Sequence, residues 1–446
     1  MKLNQTAIAV ILSLAGLAHA NPLQEELQNL LGAHPSLRAS QRALEASERR
    51  VGVAFAAQLP RLTYTGDTGK ENINLNNGAN LTELDRRKSS MVLEQNIFNG
   101  GRRSAAVSQA EIDRTIQGLN LEASRQDIML EGITAYLQVA RYLTLIELTK
   151  RNEEITRKQL ELETKRVQMG GGIAVDQQQA ETRLQVVKER RVFFEQSLRD
   201  ALATYEQVFG RAPDQRRMQD VGIFSKAMPV TMLDAVQRSM TANPRLSIAA
   251  LQVQRADRQI TVEQSAYVPS IDLVATHNQD VNVNQIRNRD EKSVLVRATW
   301  NLFSGLETYN RMQAAVKDHE EQQERQQATT NKTRESVRIA WNQITNGNER
   351  LEFIERAVKS AAEVLQNRKQ LRDAGKETAV VVLDAEVEYF GILSTKVNAI
   401  FDTRIGAYKL LAAMGELTPE RIGVNAPSLD VPMRPLDQIL KEIVGS

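Results

Sequence analysis

The chain is built twice over. Residues 33–64, "AHPSLRASQRALEASERRVGVAFAAQLPRLTY", lie over residues 242–273, "ANPRLSIAALQVQRADRQITVEQSAYVPSIDL". Pro35 falls on Pro244, Leu37 on Leu246, Pro60 on Pro269 and Leu62 on Ile271, all at an offset of 209. Further on, "VLEQNIFNGG" (92–101) matches "VRATWNLFSG" (296–305) at an offset of 205, and the same offset sets Gly170 on Gly375 and Ala180 on Ala385. Two repeats of this size are too few and too long for a solenoid, so the pattern is that of a duplicated domain. Any element assigned to one half must then have a counterpart in the other.

Each half reads in the same order. A short amphipathic helix (about 22–32 and 231–241) precedes a longer one (about 36–58 and 245–267) that ends at Pro60 or Pro269, because proline disfavours helical angles in the residue before it. Two strands follow, about 61–70 and 88–98 in the first half and about 270–277 and 293–303 in the second. In "SVLVRATWNL" (293–302), Val294, Val296, Ala298, Trp300 and Leu302 share one face, the period of a strand, with Leu295 as the exception. The Asn-rich stretches 71–85 and 277–291 read as exposed loops.

Long helical hairpins come next, about 102–209 and 306–413. Ile112, Ile116, Leu119, Ala123, Leu130, Ile133, Leu137 and Ala140 recur in steps of three, four or seven, a coiled-coil spacing. At ~1.5 Å per residue the first helix spans roughly 100 Å, far longer than a compact domain needs. Gly170, Gly171 and Gly172 break the first hairpin, and Gly375 breaks the second. Proline-bearing connectors at 210–230 and 414–435 close the halves, which divide the chain into 1–20, 21–229 and 230–446.

Residues 1–20, "MKLNQTAIAVILSLAGLAHA", have a basic start, an apolar core and a small-x-small end, as a secretory signal peptide does. The apolar run falls short of the ~20 residues of a spanning helix. Net charge is +2 with both signs interspersed, which is no footprint for nucleic acid. There is no cysteine, which rules out disulfides, thiolate metal sites, a cysteine nucleophile and a lipidated cysteine. The histidines at 34, 277 and 319 lack ligand spacing, "MGGG" has no Lys-Ser/Thr after it, and no Gly-x-Ser-x-Gly elbow occurs. No enzyme, cofactor or metal is expected.

Four strands per exported chain pose a physical problem. Strand edges cannot stand open in lipid, and a closed barrel needs about eight strands. Three chains would close twelve, with the helices continuing as a second tube. A soluble periplasmic helical-hairpin adaptor or scaffold is the alternative, but it leaves the duplicated strand pairs unexplained.

At these residues the chain resembles the TolC-like outer-membrane channel-tunnels of type I secretion and efflux systems. The carriers are "HPSL…LP" and "NPRL…VP", the junctions "NIFNGGRR" and "WNLFSGLE", and the tips "MGGGIAVDQQQA" and "DAGKETAVVVLDA". The resemblance implies a mainly α fold with a β-barrel contribution: long coiled-coil hairpins plus four strands per chain, and a homotrimer closing a twelve-stranded barrel and an α-helical tunnel. It also implies a passive exit duct in the outer membrane of a Gram-negative bacterium, with the tunnel in the periplasm. Expected partners are outer-membrane lipid, a periplasmic adaptor (membrane fusion protein) and an inner-membrane ABC or proton-driven transporter. The missing cysteine at the expected mature start favours protein secretion slightly over drug efflux.

In this frame the glycine breaks are periplasmic hairpin turns. Pro60, Pro269, Gly100, Gly101 and Gly305 mark barrel-to-tunnel junctions, and Trp300 is a candidate interfacial belt residue. Asp176, with Gln179 three residues on, reads first as a helix N-cap and second as part of an acidic ring; Asp384, inside its helix, reads first as pore-facing. Relative to the family's pattern, Val381 stands where an aspartate is usual, and Glu377 stands for an arginine, with Arg372 nearby. The expectation is that Arg372, Glu377 and Asp176 link neighbouring helices when the tunnel is shut.

Overall fold

The computed structural model describes residues 22–73, 82–218, 228–283 and 286–424. The expected signal peptide lies outside them. The duplication is realised to the residue in the long helices: α3 (Arg102–Gln168) and α7 (Glu307–Asp373) have 67 residues each, and α4 (Ala174–Phe209) and α8 (Ala379–Met414) have 36 each, all at the offset of 205. Among the described residues no helix is long and apolar enough to cross a membrane.

The described chain forms two compact units, and each takes material from both halves. One comprises 22–38, 123–243 and 332–424. Its core is set by α1 (Pro22–Ala33), whose Leu23, Leu27, Leu30 and Leu31 are buried one helical turn apart. Gly132 of α3 has no side chain because a Cβ there would stand 2.6 Å from Leu30 Cδ2. Tyr205 of α4 is fully buried and stacks on Phe209 at 4.1 Å between ring centres; burial pushes its hydroxyl pKa up. The short helix α5 (Met232–Ala242), capped by the Thr231 side chain, packs against α8.

The second unit comprises 39–122 and 244–331. Here α2 (Pro35–Ala56) and α6 (Pro244–Gln264) lead into strands β1 (Arg61–Ile73) and β3 (Ser270–Val283), so Pro60 and Pro269 each stand one residue before a strand rather than at a helix end. A 3-10 turn, Ser265–Tyr267, replaces the expected last turn of α6. With β2 (Thr82–Phe98) and β4 (Ile286–Thr299) they form one antiparallel sheet in the order β1-β2-β3-β4, kinked by a bulge at Asn96/Phe98. The outer edges of β1 and β4 have no partner strand among the described residues.

The strands correct the loop assignment. Residues 71–73, 82–85, 277–283 and 286–291 are strand, because ladder pairing such as His277↔Lys292 and Gln279↔Asp290 continues through the polar residues, while the rest of both stretches, 74–81 and 284–285, lies outside the described residues. Asn-rich composition signals a turn only where no neighbouring strand takes up the backbone groups. At the other end β4 stops at Thr299, so Trp300, Leu302 and Phe303 are outside the ladder; Trp300 donates its ring N–H to the Tyr267 carbonyl at 3.2 Å.

The sheet has two unlike faces. Leu62, Leu93, Ala275 and Val294 lie in one cross-strand row, with Leu273 and Val296 beside them; Leu62, Val294 and Val296 are 63–72% exposed. The opposite face is mainly polar, with Val92, Val274 and Leu295 toward its helix end: Ser90 donates to Asn278 Oδ1 at 2.6 Å, and Thr276 bonds Ser293 at 2.6 Å.

The strand-to-helix junctions show the duplication under strain. Gly100 (φ 65°) and Gly101 (φ 85°) take left-handed angles, and their counterparts are Gly305 (φ 63°) and Leu306 (φ 70°). A leucine there carries about 1–2 kcal/mol of conformational cost. Leu306→Gly is expected to raise stability by about 0.5–1 kcal/mol after the entropy that glycine adds to the unfolded chain. A higher urea midpoint for release of the folded assembly would show it.

Candidate functional site

The two hairpin turns use one device. In the first, the Gly170 N–H donates to the Val167 carbonyl at 3.0 Å and the Gly171 N–H to Arg166 at 2.9 Å; in the second, Gly375 donates to Arg372 at 2.9 Å and Lys376 to Leu371 at 2.9 Å. This paired closure of a helix C-terminus needs a left-handed residue, and Gly170 (φ 76°) and Gly375 (φ 72°) supply it. Gly171 and Gly172 do not take positive φ; Gly172 is instead held close, since a Cβ there would stand 3.1 Å from the Val167 nitrogen.

After the turn, α4 begins at Ala174, three residues before the start that an N-cap at Asp176 would give. Ile173 is therefore the N-cap, extended and without a side-chain cap bond, and Asp176 lies within the first turn. The capping role expected for Asp176 is not what the structure forms. The turn's own backbone bonds already deliver the chain to Ile173 at the angle a helix needs. Asp176 faces the N-terminal end of the helix dipole, worth about 0.3–1 kcal/mol. Asp176→Ala is expected to cost no more than that, seen as less than about fivefold faster hydrogen exchange in α4's first turn.

Charged groups near the turns are unequally shared between the repeats. In α8, Asp384 is exposed and accepts from Arg183 of α4. Two residues on, Glu386 of α8 is buried, its side chain 2% exposed, with the Lys369 ammonium of α7 at 2.8 Å. Neither carboxylate oxygen of Glu386 accepts a hydrogen bond of good geometry among the described residues, so the ion pair is its one polar contact there. Around it, Leu365, Val382 and Ala385 form an apolar cluster with Tyr389 against it. The start of α8 is thus held to α4 and to α7 by separate ion pairs. In the first repeat, 205 residues earlier, Gln179 and Glu181 stand for the two acids and Thr164 for Lys369; in the second, 205 residues later, Glu388 stands for Arg183.

The remaining expected residues are distributed as follows. Arg372 donates to Gln159 Oε1 of α3 at 3.2 Å and to its neighbour Asp373 at 2.8 Å. Glu377 accepts from Arg368 on its own hairpin. Val381 is half-buried in the first turn of α8. Within the described residues of one chain, no hydrogen bond or ion pair joins Arg372, Glu377 and Asp176 to one another; α3 and α4 are tied instead by Arg191, which bonds Glu153 and Glu195 at 2.7 Å each. Those carboxylates, Glu195 first, hold the guanidinium pKa above its ordinary value.

Arg183, Lys369 and Glu386 were absent from the sequence-based set. Glu386 left a signal: it stands four residues after Val382 and three after Leu383, a carboxylate on the buried stripe. Arg183 left none, because its partner is 201 residues away.

The outer membrane efflux protein family model matches residues 27–211 and 235–416, one match per repeat. The outer membrane efflux protein BepC of Brucella suis is 22% identical over 430 residues, covering 94% of this chain and 91% of its own. Outer membrane protein TolC of Escherichia coli is 23% identical over 433 residues, covering 93% and 86%. Among solved structures, a membrane protein from Pseudomonas aeruginosa superposes with a TM-score of 0.81 at 16% identity, covering 93% of each chain.

Proposed function

Because the chain belongs to the outer membrane efflux protein family, we propose that three copies close a twelve-stranded barrel in the outer membrane and that their hairpins line a periplasmic tunnel. The chain is an outer-membrane channel, the exit duct of an efflux or type I secretion system, and a non-catalytic conduit.

The observation that carries the trimer is the sheet. Its free edges, β1 and β4, run antiparallel to each other, so β4 of one chain can pair with β1 of the next, and its apolar face suits lipid while the polar face suits a lumen. Exposed Phe193 of α4 and Phe353 of α7 give the hairpins apolar surface for neighbouring chains. A periplasmic adaptor and an inner-membrane transporter engaging the turns complete the path, since the conduit has no energy source of its own.

Asp176 and Asp384, repeated by the trimer, would set negative charge at the tunnel mouth. Arg372 and Glu377 would help hold the turns shut, and the half-buried Val381 would narrow the space beside them.

Single-channel recording in a planar bilayer tests this reading. Small cation-selective openings, blocked by trivalent cations added from the turn side, are the expected result. Conductance without block would remove the acidic mouth. A protein that washes from the membrane at high salt and gives no heat-sensitive oligomer would instead be a soluble scaffold.

A further inference from the structure

The apolar face of the sheet is not uniform. One row above Leu62–Leu93–Ala275–Val294 the same face carries Tyr64, Met91, His277 and Lys292, so on β3 and β4 the continuous apolar surface ends one row sooner than on β1 and β2, with Val281 standing apart beside Arg87. At that step lies a hollow of about 430 Å³, walled by Leu62, Met91, Leu93 and Val294 and bounded by His277 and Lys292. His277 Nε2 is engaged by Asp290 Oδ1 at 2.9 Å. Asp290 is itself on this face, two residues from Lys292, whose exposed side chain stands at the margin of the hollow. The next cation on the face, Arg87, is two rows higher and exposed.

We propose that this hollow is a binding site for a phosphate-bearing lipid of the outer leaflet. An acyl chain would lie against Leu62, Leu93 and Val294, and the lipid phosphate would meet the Lys292 ammonium, with Arg87 above it. The proposal rests on the barrel reading, which turns this face toward lipid and the Ile73, Thr82, Val283 and Ile286 ends of the strands outward. Three features of the site select the ligand. The walls are apolar where chains are packed. The cation stands where the apolar surface stops, the level at which lipid headgroups begin. The Asp290 carboxylate is committed to His277, which leaves the ammonium of Lys292 as the charge available to a phosphate. A basic group at such a boundary favours an anionic headgroup, with roughly a fivefold gain in occupancy per cation.

The test compares purified channel in nanodiscs for retention of diphosphoryl lipid A, dephosphorylated lipid A and neutral phosphatidylcholine by native mass spectrometry. The wild type should retain the phosphorylated lipid, and excess inorganic phosphate should not displace it, because the acyl contact is missing from the free ion. Lys292→Glu should lower retention at least fivefold, Lys292→Arg should preserve it, and Leu93→Trp, which fills the hollow, should lower it with the charge intact. Equal retention of the phosphorylated and dephosphorylated lipids by the wild type overturns the proposal even if every variant misfolds. Unchanged retention in Lys292→Glu overturns it too, as does displacement by inorganic phosphate. A heat-sensitive oligomer and conductance are recorded alongside. Their absence in the wild type would remove the barrel reading itself, whereas their presence with unselective lipid retention would remove this site alone.

Discussion

Gly415→Ala should cost roughly 4 kcal/mol and abolish the assembled channel, whereas Gly210→Ala, its counterpart in the first repeat, should cost about 1 kcal/mol and leave the channel intact. Both glycines end a long helix in the left-handed region, at φ 76° and 69°. The conformational penalty is therefore common to the two. Their surroundings differ. A Cβ on Gly210 meets nothing within 4 Å, but on Gly415 it would stand 2.5 Å from Asn243 Cα, 2.7 Å from the Ala242 carbonyl oxygen and 2.8 Å from the Asn243 nitrogen. Those are backbone atoms and cannot rotate away. Asn243 is also fixed, donating its side-chain amide to the Ala413 carbonyl at 2.9 Å, while Gln126 donates to the Gly415 carbonyl at 3.0 Å. The heat-sensitive oligomer band in outer-membrane fractions reads the outcome. Equal losses in the two variants would mean that the backbone angle, and not the close approach of Asn243, governs the site.

Lys369→Ala should loosen the start of α8 and raise channel conductance severalfold. Removing one partner of a buried ion pair leaves the other charge uncompensated at a cost of about 3–5 kcal/mol, and the lower end applies because Lys369 is 38% exposed. At about 3 kcal/mol, hydrogen exchange across the first turns of α8 should quicken roughly a hundredfold. Adding Glu386→Leu to Lys369→Ala should reverse most of the effect, since the apolar cluster of Leu365, Val382 and Ala385 can accept a leucine and no buried charge remains. If the double variant stays as conductive as the single one, the ammonium acts on something other than Glu386. Arg183→Ala makes a milder comparison, because the Arg183–Asp384 pair is solvent-exposed and such pairs contribute about 0–1 kcal/mol.

Much of this architecture could be read in the residues. The repeat offsets located both hairpin turns, and the apolar spacing of α3 with the glycine break after it marked the helix and its end, because long periodic helices with glycine at their C-termini combine two independent signals. Strand lengths were harder to read. In β3 and β4 the polar positions His277, Gln279 and Lys292 are strand because a neighbour pairs with them, and that pairing is invisible in a local window. The start of α4 misled for a related reason: Asp176 has a good capping residue's chemistry, but the backbone closure at Gly170 and Gly171 decides where the helix begins. Across the candidate site, Asp384 and Arg372 were legible as charged groups near a turn, while their partners Arg183 and Gln159 depend on how helices from opposite halves lie together.

The two edges of the sheet, without partner strands among the described residues, bear on how the molecule comes into being. A lone chain entering lipid would carry a row of unsatisfied amides and carbonyls along β1 and another along β4. In the proposed ring, insertion is coupled to encounter between chains: yield would depend on how many copies meet, and stability would belong to the ring and vary with protein concentration. A chain defective in a single edge would be dominant over its normal siblings, since each ring it joins is left with a seam.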